Sequence, residues 1–75
     1  MKELIELNCL GMRRPLPINK IAGIARKSPG SMLKVVADDF TFENDIKEWI
    51  ENSNANLLKL EKDGYLIKVQ ILFEG

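Results

Sequence analysis

The chain predicts an α/β two-layer sandwich of order βαβαββ, with two helices packed on one face of a four-stranded mixed sheet. Three observations carry this reading. Apolar residues alternate with polar ones in four short stretches, as half-buried strands require. Two stretches of helical period separate the first three of them. Glycine, proline, aspartate and asparagine clusters close almost every stretch.

The elements follow in order. Ile5, Leu7 and Cys9 alternate with Glu6 and Asn8, which predicts a first strand, and Gly11 breaks it. Pro15 suits the opening turn of a helix, where a missing N–H costs little, and Pro17 follows. Leu16, Ile21, Ile24 and Ala25 form that helix's expected apolar side. Gly23 weakens it by about 1 kcal/mol relative to alanine, and Ser28-Pro29-Gly30-Ser31 ends it. Leu33, Val35 and Ala37 predict a second strand, closed by Asp38 and Asp39. Asp39 or Thr41 is suited to cap a second helix. Phe42, Ile46, Trp49 and Ile50 give that helix one apolar stripe, with Trp49 expected to be buried against the sheet. Leu58 and Leu60 alternate with Lys59 and Glu61, and Ile67, Val69, Ile71 and Phe73 alternate with Lys68, Gln70 and Leu72. The Lys62-Asp63-Gly64 turn signal between them predicts an antiparallel hairpin. A strand–helix–strand unit favours parallel pairing of the first two strands. The outer sheet face is expected to show Leu4, Val36, Leu57, Leu66 and Leu72 among Lys34, Lys59, Lys68 and Gln70, a candidate partner surface.

Composition narrows the function. Seventy-five residues at 45% apolar and 29% charged predict one globular domain, residues 1–75. The chain has no histidine, so Ser-His-Asp and Cys-His catalysis and the usual zinc sets are excluded. No metal and no cofactor are expected. Asp38 and Asp39 read as helix caps rather than ligands. A single cysteine excludes an internal disulfide and suits a reducing compartment. Apolar runs of four residues or fewer predict no membrane span. Met1-Lys2-Glu3 leads straight into a strand pattern, so a cytoplasmic protein is expected. Net charge is zero, yet residues 1–37 carry a net +5 and residues 38–75 a net −5. Five basic residues and no acidic one lie between Arg13 and Lys27, which is either a solvated helix face or an anion-attracting patch.

Asn8-Cys9-Leu10-Gly11-Met12-Arg13-Arg14-Pro15-Leu16-Pro17 joins the first strand to the first helix. This segment resembles the signature of the TusA/SirA sulfur-carrier family: an aspartate, a glycine three residues on, then Cys-Pro-x-Pro opening the helix. Gly11, Pro15 and Pro17 match in register, and Leu7 and Leu16 fit. The likeness continues through Val36-Ala37-Asp38-Asp39, Asp45-Ile46 and Asn56-Leu57-Leu58. It implies a carrier whose signature cysteine takes a persulfide sulfur from a cysteine desulfurase and hands it on, classically towards tRNA thiolation. Arg14 occupies that cysteine's position and Asn8 the aspartate's. A guanidinium cannot carry a sulfane sulfur.

Three readings follow. The first is a non-catalytic binding or accessory member of a sulfur relay. A protein partner (a desulfurase or another relay component) or a small oxyanion would sit at the first helix's N-terminus. Arg13 and Arg14 would act as forks, and Lys20 and Arg26 would supply field. The second is a carrier that uses Cys9, the only thiol, although its alternation with Ile5 and Leu7 places it in the core. The third is nucleic-acid binding through the basic first helix. The resemblance of the family fold to the C-terminal domain of translation initiation factor 3 supports it only by analogy. The lack of an aromatic platform near the patch counts against it.

Overall fold

The computed structural model describes residues 3–74. Met1, Lys2 and Gly75, the ends of the domain expected over 1–75, lie outside the described residues. The elements are β1 (Leu4–Cys9), α1 (Leu16–Lys27), β2 (Met32–Ala37), α2 (Phe42–Glu51), β3 (Ala55–Asp63) and β4 (Leu66–Phe73). They form one sheet of order β1-β2-β4-β3. β1 and β2 are parallel, and the other two pairings are antiparallel.

The core is the helix-facing side of this sheet. Leu33, Val35 and Ala37 of β2 and Ile67, Val69, Ile71 and Phe73 of β4 are buried against Ile21 of α1 and Phe42 and Ile46 of α2. The two central strands therefore bury their whole inward face. On the edge strand β1, Ile5 and Leu7 are only half-buried and Cys9 alone is fully enclosed. Trp49 is half-buried rather than enclosed. Its ring stands edge-on to Phe73, with centroids 6.2 Å apart, at the end of α2 where the helix leaves the sheet.

Helix α1 starts one residue later than Pro15 suggests. Pro15 is its N-cap, and Pro17 sits within the first turn. Pro17, Ile21, Ile24 and Ala25 form the packed stripe, at i, i+4, i+7 and i+8, which turns Leu16 out to solvent. The hairpin turn is also one residue on from the Lys62-Asp63-Gly64 reading. Asp63 pairs with Leu66, so Gly64 and Tyr65 form the loop, with Gly64 at φ 62° in its first central position.

β3 departs most from simple alternation. Leu57 pairs with Ile71 and Lys59 with Gln70, so Leu58 is an extra residue in a β-bulge. The extra residue reverses the facing of everything before it. Leu57 and Leu60 pack on the core, and Leu58 is exposed. Leu57 therefore does not belong to the outer face. That face holds a shallow groove of about 510 Å³ whose exposed residues include Glu6, Asn8, Lys34, Lys59, Glu61 and Lys68. It is more polar than the alternation implied. Leu58→Lys is expected to change stability by less than about 0.5 kcal/mol, whereas Leu57→Lys or Leu60→Lys costs more than about 1 kcal/mol. Urea midpoints for the three variants check this assignment. Equal losses at 57 and 58 would contradict it.

Candidate functional site

Adjacent parallel strands end at the same edge of a sheet, so the loops that follow them meet. Here the loop after β1, carrying residues 10–15, lies against the loop after β2, carrying residues 38–41. Two aspartates tie them together. Asp38 Oδ1 accepts the Gly11 N–H (2.9 Å), and Asp39 Oδ2 accepts the Arg14 N–H (3.1 Å). Gly11 can take part because it turns the chain at φ 78°, a conformation that L side chains resist. Asn8, the penultimate residue of β1, accepts the Leu10 N–H at its Oδ1 (2.9 Å) and fixes the exit from the strand.

Asp39 also opens α2. Its Oδ1 accepts both the Thr41 N–H and the Thr41 hydroxyl, each at 3.0 Å, and its backbone C=O accepts the Phe42 N–H at 2.9 Å. The side chain is buried yet fully hydrogen-bonded. The Thr41 N–H, then the Thr41 hydroxyl and the Arg14 N–H, hold its pKa below the ordinary carboxylate value against the opposing effect of burial. The N-cap of α2 is Thr41, whose side chain caps no helix N–H; Asp39 instead fixes Thr41 in the turn that leads into the helix, so neither residue fills the capping role read from sequence. The same carboxylate sets the backbone at position 14, which the sequence reading did not foresee.

Each arginine has a carboxylate beside it. Arg13 Nη1 lies 3.5 Å from Asp38 Oδ1, and Arg14 Nη2 lies 3.3 Å from Asp45 Oδ1. Both arginine side chains remain about two-thirds exposed, at 69% and 65%. The helix start offers few donors of its own. Pro15 and Pro17 have no N–H, and the Leu16 N–H is taken by the Arg13 C=O at 2.9 Å. Lys20 and Arg26 stand elsewhere on the fold. Lys20 lines a groove between α1 and β1, and Arg26 lies near the far end of α1 beside Trp49 and Glu74. At 1.5 Å per residue, Arg26 is roughly 15 Å further along the helix than Leu16. The four basic residues therefore do not converge on one point.

Cys9 is enclosed, with no exposed surface. Burial pushes its thiol pKa up, and the charge of Lys20 only partly offsets this. Among the described residues, no three cysteine or acidic side chains gather as metal ligands, and no helix is long and apolar enough to cross a membrane.

One contributor was missed in the sequence. Phe40 is 89% exposed in the loop between Asp39 and Thr41, and Leu10 and Leu16 are each 45% exposed in the neighbouring loop and helix start. The lack of an aromatic group holds along the basic stretch itself, but the loop after β2 that bonds to the Arg14 N–H through Asp39 carries Phe40 as its next residue. The signal available was Phe40 itself, a large apolar residue that fits neither β2 nor the stripe of α2. An exposed aromatic with two arginines is the composition of a protein-docking centre.

Comparison with known proteins agrees with the resemblance. The model of the family described as Sulfurtransferase TusA matches residues 5–71. A protein of Aquifex aeolicus (strain VF5), named as a candidate sulfur carrier protein, is 39% identical over 64 residues. That match covers 84% of this chain and 32% of the relative, so the chain spans about a third of the relative's length. With a family match running through all six elements and the strand-to-helix segment at its centre, the chain belongs to the TusA family of sulfur carriers.

Proposed function

We propose that this chain is a non-catalytic accessory member of a sulfur relay, which docks a relay protein at the residue-14 end of the fold without carrying sulfur. The observation that supports this best is the pairing of a retained frame with an altered side chain. Asp39 holds the backbone at position 14, while the group presented there is a guanidinium, and the same and adjoining loops expose Leu10, Leu16 and Phe40. Such a face can bury apolar surface in the complex and offer a cation to an anionic group of the partner. The partner class is a cysteine desulfurase or the protein that receives its sulfur, and a cytoplasmic setting suits the one unpaired, buried cysteine.

A protein occupant is better supported than a free oxyanion. Asp38, Asp39 and Asp45 outnumber Arg13 and Arg14 locally, and the prolines thin the N–H donors. The same carboxylates weigh against a polyanion such as nucleic acid, although Phe40 supplies the aromatic surface that role would use.

The test is transfer of labelled sulfur from a cysteine desulfurase, together with a binding measurement. Wild type is expected to bind the desulfurase or its acceptor and take up no sulfur. Phe40→Ala is expected to weaken that binding at least tenfold. Uptake that Cys9→Ser abolishes would instead make Cys9 the carrier and sink the proposal.

A further inference from the structure

The free edge of β1 carries a second feature, on the side of the molecule where Lys20 was found. Among the described residues, β1 pairs only with β2. The Glu3 C=O accepts the Met32 N–H at 2.7 Å, so it points towards β2. Backbone groups alternate along a strand, so those of Leu4, Glu6 and Asn8 point outward to the edge. Above this edge, Leu7, Lys20, Gly23, Ile24 and Lys27 enclose a groove of about 280 Å³. Gly23 leaves it open. Among the described residues a Cβ there would meet nothing closer than Arg26 Nη2 at 4.0 Å, so none of their packing requires glycine. A mid-helix glycine that weakens the helix without an internal steric reason points to a use outside the chain.

We propose that the free edge of β1 is a strand-addition site for an extended acidic segment of a protein partner, with a central apolar side chain seated over Gly23 and a carboxylate on each side meeting Lys20 and Lys27. The outward groups of Leu4, Glu6 and Asn8 supply the backbone ladder. Leu7 and Ile24 supply the apolar floor, and both are half-buried against the core without being covered. The spacing agrees. Lys20 and Lys27 are seven residues apart, about 10 Å along the helix. Helix-facing positions i and i+4 of a strand are about 13 Å apart, within reach of long side chains. A pattern of acidic, any, apolar, any, acidic therefore fits. The same lysines disfavour a second copy of this chain, because edge-to-edge pairing of β1 would set Lys20 and Lys27 against their own counterparts.

The probe is the capped heptapeptide Thr-Glu-Thr-Val-Thr-Glu-Thr, with its lysine-for-glutamate counterpart as control, at low salt. The acidic peptide is expected to bind saturably, to shift the amides of residues 4–9 and 20–27, and to slow hydrogen exchange at Leu4, Glu6 and Asn8. Gly23→Leu fills the groove while strengthening the helix, so it is expected to keep the fold and weaken binding at least tenfold. Lys20→Glu with Lys27→Glu is expected to reverse the preference between the two peptides. Several results would overturn the proposal: no saturation into the millimolar range, shifts centred on residues 10–16 and 38–41, full affinity in Gly23→Leu, or self-association through β1. Of these, only shifts centred on residues 10–16 and 38–41 concern the residue-14 docking face, and they would favour it while sinking the β1 site, so the two ideas fail separately.

Discussion

Arg14→Cys is expected to give the chain a thiol that reacts with a disulfide reagent at least about a hundredfold faster than Cys9 does. The difference follows from access before it follows from pKa. Cys9 has no exposed surface, and its thiol is pushed up by burial. It reacts only when the core opens, and opening that costs several kcal/mol leaves fewer than about one molecule in a thousand reactive at a time. Position 14 needs no opening, since its side chain is about two-thirds exposed in the wild type. The helix dipole and the nearby Arg13 favour a thiolate there, while Asp39 and the released Asp45 oppose it. Even at an unshifted pKa of about 8.5, a substantial fraction is thiolate at pH 8. Thiol titration of wild type, Arg14→Cys and Arg14→Cys with Cys9→Ser separates the two sites. A fast phase in the wild type would contradict the buried placement of Cys9. A slow thiol at position 14 would mean that the frame retained around Gly11, Pro15 and Pro17 no longer exposes that side chain. Sulfur uptake by Arg14→Cys from a desulfurase would show that docking has survived the loss of chemistry.

What could be read in the sequence was what local periodicity encodes. The stripe of α2 and the alternation in β2 and β4 find the core-facing side because each element buries one face, although only Phe42 and Ile46 of the stripe are enclosed and Trp49 and Ile50 are half-buried against the core. Alternation fails at Leu58, where one inserted residue exchanges the faces of Leu57 and Leu58, and nothing local marks the bulge. The candidate site was half legible. Gly11, Arg14, Pro15 and Pro17 are adjacent in sequence, so their segment can be recognised as a unit. Asp39, Asp45 and Phe40 reach the same place from 25 or more residues away, through the side-by-side ends of β1 and β2 and the start of α2. Local sequence marks Asp39 as a helix cap, whereas in the fold it stands two residues before the N-cap, Thr41, and fixes that residue. Nothing local shows that its second oxygen holds the Arg14 amide.

That shared carboxylate is where the largest loss of stability is expected. Asp39→Ala removes the acceptor for the Thr41 N–H, the Thr41 hydroxyl and the Arg14 N–H together, at the junction of two loops. Hydrogen bonds to a charged group are worth about 1.5–3 kcal/mol, and water can reach part of what is left, so a loss of about 2–3 kcal/mol is expected. For a domain of this size that lowers Tm by roughly 10–20 °C. Asp39→Asn is expected to fall between the two. Its amide oxygen can still accept from Thr41, but its NH₂ group faces the Arg14 N–H with no lone pair to offer. The pH dependence carries the same signature. Asp39 titrates lower in the folded chain than in the unfolded one. Its contribution is therefore complete above the unfolded carboxylate pKa of about 3.9 and is lost as pH falls through the lower folded value. Glu43, held low first by Lys62 and then by Lys47, and Glu61, held low by Lys59, act in the same direction in both proteins. The gap in Tm between wild type and Asp39→Ala isolates Asp39 from them. It is expected to be constant from pH 7 to about pH 5 and to narrow below about pH 4. A gap that does not change down to pH 2.5 would show that the carboxylate acts through shape rather than charge. In that case the Arg14 amide resonance would keep its wild-type position in Asp39→Asn.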